Sequence, residues 1–299
     1  MPSPIALLVA DMHLSSKCPG ARADDWKKAQ RRLLVKLTKT AKELSIPVVV
    51  SGDIFDRSKE DPWVVSLAIR YMKQVKWYGI PGQHDLPSHA ITRLEESSFY
   101  TLMEAGVLTY VDGVMEFPKF HLYGQPFGAD PVNADEVCYD SGKMKVLIGH
   151  KCVYEVPLYP NAPESGLVKS VLKGYKGFDV LVFGDNHKGF TNTYNKTLVV
   201  VPGTAMRRHR DEIDYKPRAW VLYDDNTVTP VALPRKNDEF LEASLTDKDK
   251  KLTAFVESLG GEKVEVTLSF THNLQCYLEG AGEVSKEVKE IVWDAVEGK

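Results

Sequence analysis

A chain of 299 residues with 43% hydrophobic side chains has enough apolar material for one large core and a small appendage. Lys and Arg number 38 against 41 Asp and Glu, a net charge of −3, so the strong basic footprint of a self-sufficient duplex binder is absent. No basic leader precedes the first apolar run and none of the runs approaches bilayer length, so neither a signal peptide nor a membrane span is expected, and the expected location is cytoplasmic.

The elements follow in chain order. Residues 4–10 form a continuous apolar run, which suits a strand buried on both faces, and it leads into Asp11-Met12-His13. Residues 24–44 carry Ala29, Leu33, Leu34, Leu37, Ala41 and Leu44 at helical spacing on a basic surface. A second strand over 46–50 runs into Gly52-Asp53-Ile54-Phe55-Asp56, and a helix is predicted over 63–75 behind Pro62, where a missing N–H costs least. Gly82-Gln83-His84-Asp85 precedes a third predicted helix over 92–105. Strands over 145–148 and 179–183 lead into Gly149-His150 and Gly184-Asp185-Asn186-His187. Residues 201–208 then carry a Pro-Gly turn and Arg207-Arg208, and a distal strand covers 218–223. Beyond the polar stretch 234–238 the pattern predicts a helix (246–259), a strand (263–270) and a helix (285–296). The expected division is a catalytic domain over 1–233 and a small α+β domain over 234–299.

Five motifs place Asp or His at the end of an apolar run, and in open α/β sheets ligands bind at the carboxyl ends of strands. Two divalent ions about 3.5–4 Å apart can clamp a phosphate and activate a water, which requires a bridging carboxylate. Asp53 is the natural bridge, since Gly52 before it lets the backbone approach closely. Asp11 and His13, two residues apart, would share one side of an extended segment and thus one ion. Four cysteines (Cys18, Cys138, Cys152, Cys276) lack metal-binding spacing, which fits free thiols in a reducing compartment.

This ordered set resembles the calcineurin-like metallophosphoesterase superfamily, whose signature is DxH, GDxxD, GNHD, GH and GHxH. The resemblance implies a β-sandwich flanked by helices in four layers, αββα, with a small α+β cap at the C-terminus. It implies that Asp11, His13, Asp53 and His187 hold one metal, and that Asp53, Gln83, His150 and Asp185 hold the other. His84 would be the general acid, with Asp85 orienting its ring. Gln83 stands where the family has Asn, and Asp185 where it has the first His of GHxH. Three anionic ligands would then face the two ions, so manganese, with magnesium next, is expected over zinc.

Within the superfamily, the segment from Gly52 through Pro62 and the turn from Val201 to Arg208 are similar to elements of SbcD-type double-strand-break repair nucleases. That similarity implies a two-metal DNA nuclease in which a metal-bridging hydroxide attacks the phosphodiester and His84 protonates the leaving oxygen. Arg207 and Arg208 would bind substrate phosphate. The partners implied are DNA, an SbcC-like ATPase with a long coiled coil, and a second copy through the 92–105 helix at Leu94 and Leu102. The chain ends soon after the cap-like part, so the ATPase-docking segment is expected to be short or absent. The alternative is a phosphoesterase acting on a small nucleotide or a phosphoprotein.

Overall fold

Alternate side chains of β1 (Pro4–Val9) enter different layers, which is why its sequence is apolar without interruption. The computed structural model describes residues 2–137, 142–158 and 162–241. Leu7 and Val9 face a helical layer, whereas Ala6 and Leu8 face a second sheet. The first sheet has the order β12-β11-β1-β2-β3-β4, with β2 at Val48–Ser51, β3 at Trp77–Ile80, β4 at Thr109–Tyr110, β11 at Arg218–Tyr223 and β12 at Val228–Ala232. The second has the order β5-β6-β7-β8-β10-β9, with β5 at Gly113–Glu116, β6 at Phe120–Gln125, β7 at Met144–His150, β8 at Val180–Gly184, β9 at Phe190–Tyr194 and β10 at Thr197–Val201. The strands β1 to β4 and β6, β7, β8 and β10 pair in parallel, with antiparallel strands at the margins.

The sheets pack face to face through Leu8, Val49, Ile80, Leu222, Val146, Ile148, Val182 and Val200. Helices α1 (Trp26–Leu44), α2 (Pro62–Met72) and α3 (Ser98–Glu104) cover the outer face of the first sheet. Short helical turns around Val171 and Tyr175 cover Leu147, Leu181 and Val199 on the second. Two mixed sheets between helical layers are thus the four-layer arrangement that the motifs implied. The N-cap of α1 is Asp25, whose carboxylate accepts the Lys28 N–H at 3.0 Å, and Ser45 ends the helix in the left-handed region at φ 55°.

The expected helix over 92–105 is broken. Residues 91–96 form a tighter 3-10 turn, Ser97 is extended, and its hydroxyl caps α3 by accepting the Tyr100 N–H at 3.0 Å. Leu102 is fully buried in the core, so this face cannot present it to a second copy. Of the expected C-terminal domain only residues 234–241 fall within the described residues; its two helices and strand lie outside them, as do Cys276 and, earlier in the chain, Cys138. No helix among the described residues is long and apolar enough to cross a membrane.

Candidate metal centre

Parallel pairing brings the motif loops to one rim. Past β1 and β2 the chains stay side by side, the N–H groups of Asp11 and His13 donating to the carbonyls of Gly52 (3.2 Å) and Asp53 (3.0 Å). Asp11 (φ 49°), His13 (44°), Asp53 (51°) and Asp185 (79°) all lie in the left-handed region. Each such residue costs on the order of 1–3 kcal/mol, so the surrounding fold must impose the conformation. The expectation that Asp11 and His13 share one side of an extended segment is therefore corrected. They converge because the backbone turns sharply at both positions. Gly52 is held at φ 84°, and a Cβ there would lie 2.2 Å from Nδ1 of His150, so the imidazole occupies space that only glycine leaves open.

Four histidines share one arrangement: Nδ1 is turned to an oxygen. His13 Nδ1 faces Asp56 Oδ1 at 3.5 Å, and His84 Nδ1 donates to the Asp56 carbonyl at 2.9 Å. His150 Nδ1 donates to the Ser51 carbonyl at 2.7 Å, and His187 Nδ1 to Glu212 Oε1 at 3.2 Å. At His84, His150 and His187 these hydrogen bonds fix the tautomer, so that in the neutral ring Nε2 carries the lone pair, whereas Nδ1 of His13 makes no hydrogen bond. Nε2 of His13 and Nε2 of His187 stand 3.2 Å apart. Asp53 Oδ2 lies 3.8 Å from Nε2 of His13 and 3.3 Å from Nε2 of His150, between the two sides of the centre. The potential ligand atoms form three overlapping triads, Asp11/His13/His187, His13/Asp53/His84 and Asp11/Asp53/His150, each within 4.8 Å.

This donor set fits divalent cations. Burial, aided by Arg208, drives His13 down to about 3, the neutral form that a metal takes. Burial lifts Asp11 up to about 6, with Asp53 adding to the repulsion, a crowding that a cation would relieve. Gln83 Oε1 is buried without a hydrogen-bond partner in the protein, and Nε2 of His150 has only Asp53 Oδ2 before it, at 3.3 Å. Buried polar atoms of this kind are rare unless something else satisfies them.

Two expected residues take other places. The carboxylate of Asp85 accepts the backbone N–H groups of Ile54 (3.2 Å), Phe55 (3.0 Å) and Gly82 (3.0 Å), so it stitches two motif loops together and does not orient His84. The His84 ring is held by the Asp56 carbonyl. Arg207 points away from the centre: its guanidinium binds Asp238 at 2.9 Å, the carbonyls of Ile213 and Arg235, and the ring face of Phe240. Asp238 also receives Arg22 at 2.9 Å, which lies between the rings of Trp26 and Phe240. Backbone bonds from Ala23 to Glu239 and from Leu241 to Ala21 close this clasp. Arg208 does reach the centre, pairing with Asp56 and keeping a buried Nε–H unpaired.

Sequence reasoning missed Asp56 and Glu212. Burial pushes Glu212 up, but His187 and the N–H groups of Arg208 and His209 hold it at about 2, so it is an ionised partner for His187. Asp56 was legible as the last residue of its motif, whereas Glu212 carried no signal beyond lying near two arginines.

A sequence model of the calcineurin-like phosphoesterases matches residues 6–189. The chain belongs to this family. Calcineurin-like phosphoesterases hold a dinuclear divalent metal site, and the triads around Asp53 supply candidate ligands for one. The chain is accordingly a metal-dependent phosphoesterase. No curated protein matches its sequence. Among solved structures, a dimetal phosphatase from Danio rerio is similar at 13% identity and a TM-score of 0.53, over 80% of this chain and 99% of that one. An archaeal phosphodiesterase (13% identity, TM-score 0.40, 76% and 99% covered) and a phosphopantetheinyl hydrolase from Mycobacterium tuberculosis (16%, 0.40, 78% and 97%) are more distant in shape. At these identities the likeness is one of fold.

Proposed function

We propose that this phosphoesterase is a two-metal DNA nuclease of SbcD type that hydrolyses phosphodiester bonds. The observation that carries the two-metal part is the position of Asp53 Oδ2 between Nε2 of His13 and Nε2 of His150, with Nε2 of His187 beside that of His13 and the His150 and His187 rings held from behind by an oxygen. When bound, two divalent ions would polarise the phosphate and activate a water. Asp11, His13, Asp53 and His187 would hold one ion and Asp53, His150 and Gln83 Oε1 part of the other. Where the family pattern has two imidazoles in the second set this chain has one, which supports manganese, then magnesium, over zinc.

His84 is exposed at the rim while His13, Asp53 and His150 are buried, so its ring is presented to substrate. With Nδ1–H donated to Asp56, a proton delivered to the leaving sugar oxygen would come from Nε2 of the imidazolium. Arg208 can turn its unpaired Nε–H to a phosphate oxygen. The DNA assignment is supported by the nuclease-like segments from Gly52 to Pro62 and from Val201 to Arg208. The expected domain over 234–299 and an SbcC-like ATPase partner remain parts of this proposal.

One observation favours a small or protein phosphoester instead. The burial of Arg207 against Asp238 removes one of the two cations expected to hold a nucleic-acid backbone. Cleavage of labelled single-stranded and duplex DNA with manganese, magnesium or no metal, beside a His84→Ala control and a bis-p-nitrophenyl phosphate assay, separates the two. Metal-dependent DNA cleavage lost in the control is expected. Hydrolysis of the small diester without DNA cleavage would transfer the assignment to the small substrate.

A further inference from the structure

The two positions at which the chain departs from the family motif touch each other. Gln83 Nε2 donates to Asp185 Oδ1 at 2.7 Å. A carboxylate only accepts, so this contact fixes which face of the amide each atom occupies and leaves Oε1 as the lone-pair donor of the pair. That Oε1 is buried with no partner in the protein. The Asp185 backbone is pinned in turn, its N–H donating to both carboxylate oxygens of Asp11 at 3.0 and 3.1 Å. Among the described residues the Asp185 carboxylate enters none of the three ligand triads.

We infer that Asp185 is a positioning residue for Gln83 and not a metal ligand, and that the pair acts as one unit in place of the Asn and His of the motif. Gln is one methylene longer than Asn, and Asp is shorter than His, so the two changes compensate in reach. The longer amide spans to the shorter acid and is locked by it, and one carbonyl oxygen is delivered where the family offers two ligands. On this inference Asp185 serves the second ion through Gln83, in place of the direct ligation that the motif led one to expect. The inference rests on the two-metal reading of the centre.

The test is a double-mutant cycle on manganese binding, read by calorimetry and by the paramagnetic signal of bound Mn2+, with Q83N, D185H and the pair Q83N/D185H. If both residues were independent ligands, each single change would install the family's own ligand and leave the second affinity within about threefold of wild type. As a unit, each single change should weaken the second ion by about tenfold or more, as loss of an orienting partner does, and the double variant should recover it. Near-neutral single variants, or additive losses in the double, overturn the inference. Asp185→Asn, isosteric and still able to accept from Gln83, should bind the second ion more tightly than Asp185→Ala; equal losses also overturn it. A wild-type protein that binds fewer than two Mn2+ ions would instead sink the two-metal reading itself.

Discussion

Asp56 governs His84 and His13 at once, its carbonyl receiving Nδ1–H of one at 2.9 Å and its carboxylate facing Nδ1 of the other at 3.5 Å. A substitution at this position splits the two roles, since the main chain survives any side-chain change. Asp56→Asn should lower metal affinity at the His13 site about 10- to 100-fold, the range for loss of an orienting partner. The orientation of His84 should be retained. Titration of Mn2+ binding, with kcat measured at saturating metal, checks this: affinity falls and kcat largely returns.

Asp85 has a structural task, so its removal should be felt in folding. Asp85→Ala leaves three buried backbone N–H groups without their acceptor. At about 1–3 kcal/mol for an unsatisfied group the total exceeds what most surface changes do. Urea unfolding should show the midpoint falling sharply, with metal stoichiometry preserved in whatever fraction is folded.

The neighbouring arginines should separate cleanly. Arg207→Gln breaks a buried pair with Asp238 and should destabilise by about 3–5 kcal/mol with little change in KM. Arg208→Gln removes a charged donor beside the centre and should lower kcat/KM by about tenfold or more, given about 1.5–3 kcal/mol for a charged hydrogen bond. Steady-state kinetics on a diester, beside thermal melts of both variants, distinguishes these outcomes.

Gly52→Ala tests the crowding behind His150. The new methyl would meet the imidazole at 2.2 Å, and the backbone at φ 84° disfavours any side chain. Displacement of His150 should weaken metal binding, and the left-handed conformation alone should cost about 1–2 kcal/mol. Parallel melts with EDTA and with Mn2+ should show less metal-induced stabilisation than in wild type.

Metal removal should itself be visible in stability. A ligand at 100 times its Kd that binds the native state alone contributes about 2.7 kcal/mol. The thermal midpoint should therefore rise by several degrees when Mn2+ replaces EDTA. An unchanged midpoint would contradict binding at the triads.

The strands, and the gathering of Asp11, His13, Asp53, His150 and His187 at one rim, were legible because burial on both faces leaves an unbroken apolar signature, and because the motif residues sit where those runs stop. The turns at Asp11, His13 and Asp53 were not, since nothing local in the sequence demands φ near 50° of Asp or His; the cross-strand bonds to Gly52 and Asp53 impose it. Glu212 was invisible because its partner His187 is 25 residues away in the chain. Arg207 was misread because adjacent arginines look equivalent until the partner at Asp238 is placed. The break at Ser97 escaped notice because the apolar period continues through it.

The clasp of Arg22, Asp238 and Phe240 also fastens residues 238–241 to two distant parts of the chain. Leu241 is tied to Ala21 by its N–H and to Arg210 by its carbonyl, on the same loop that carries Arg208. A truncation ahead of Asp238 would therefore strip the carboxylate partner from two buried arginines at once, Arg22 and Arg207, and loosen the segment that leads to Arg208.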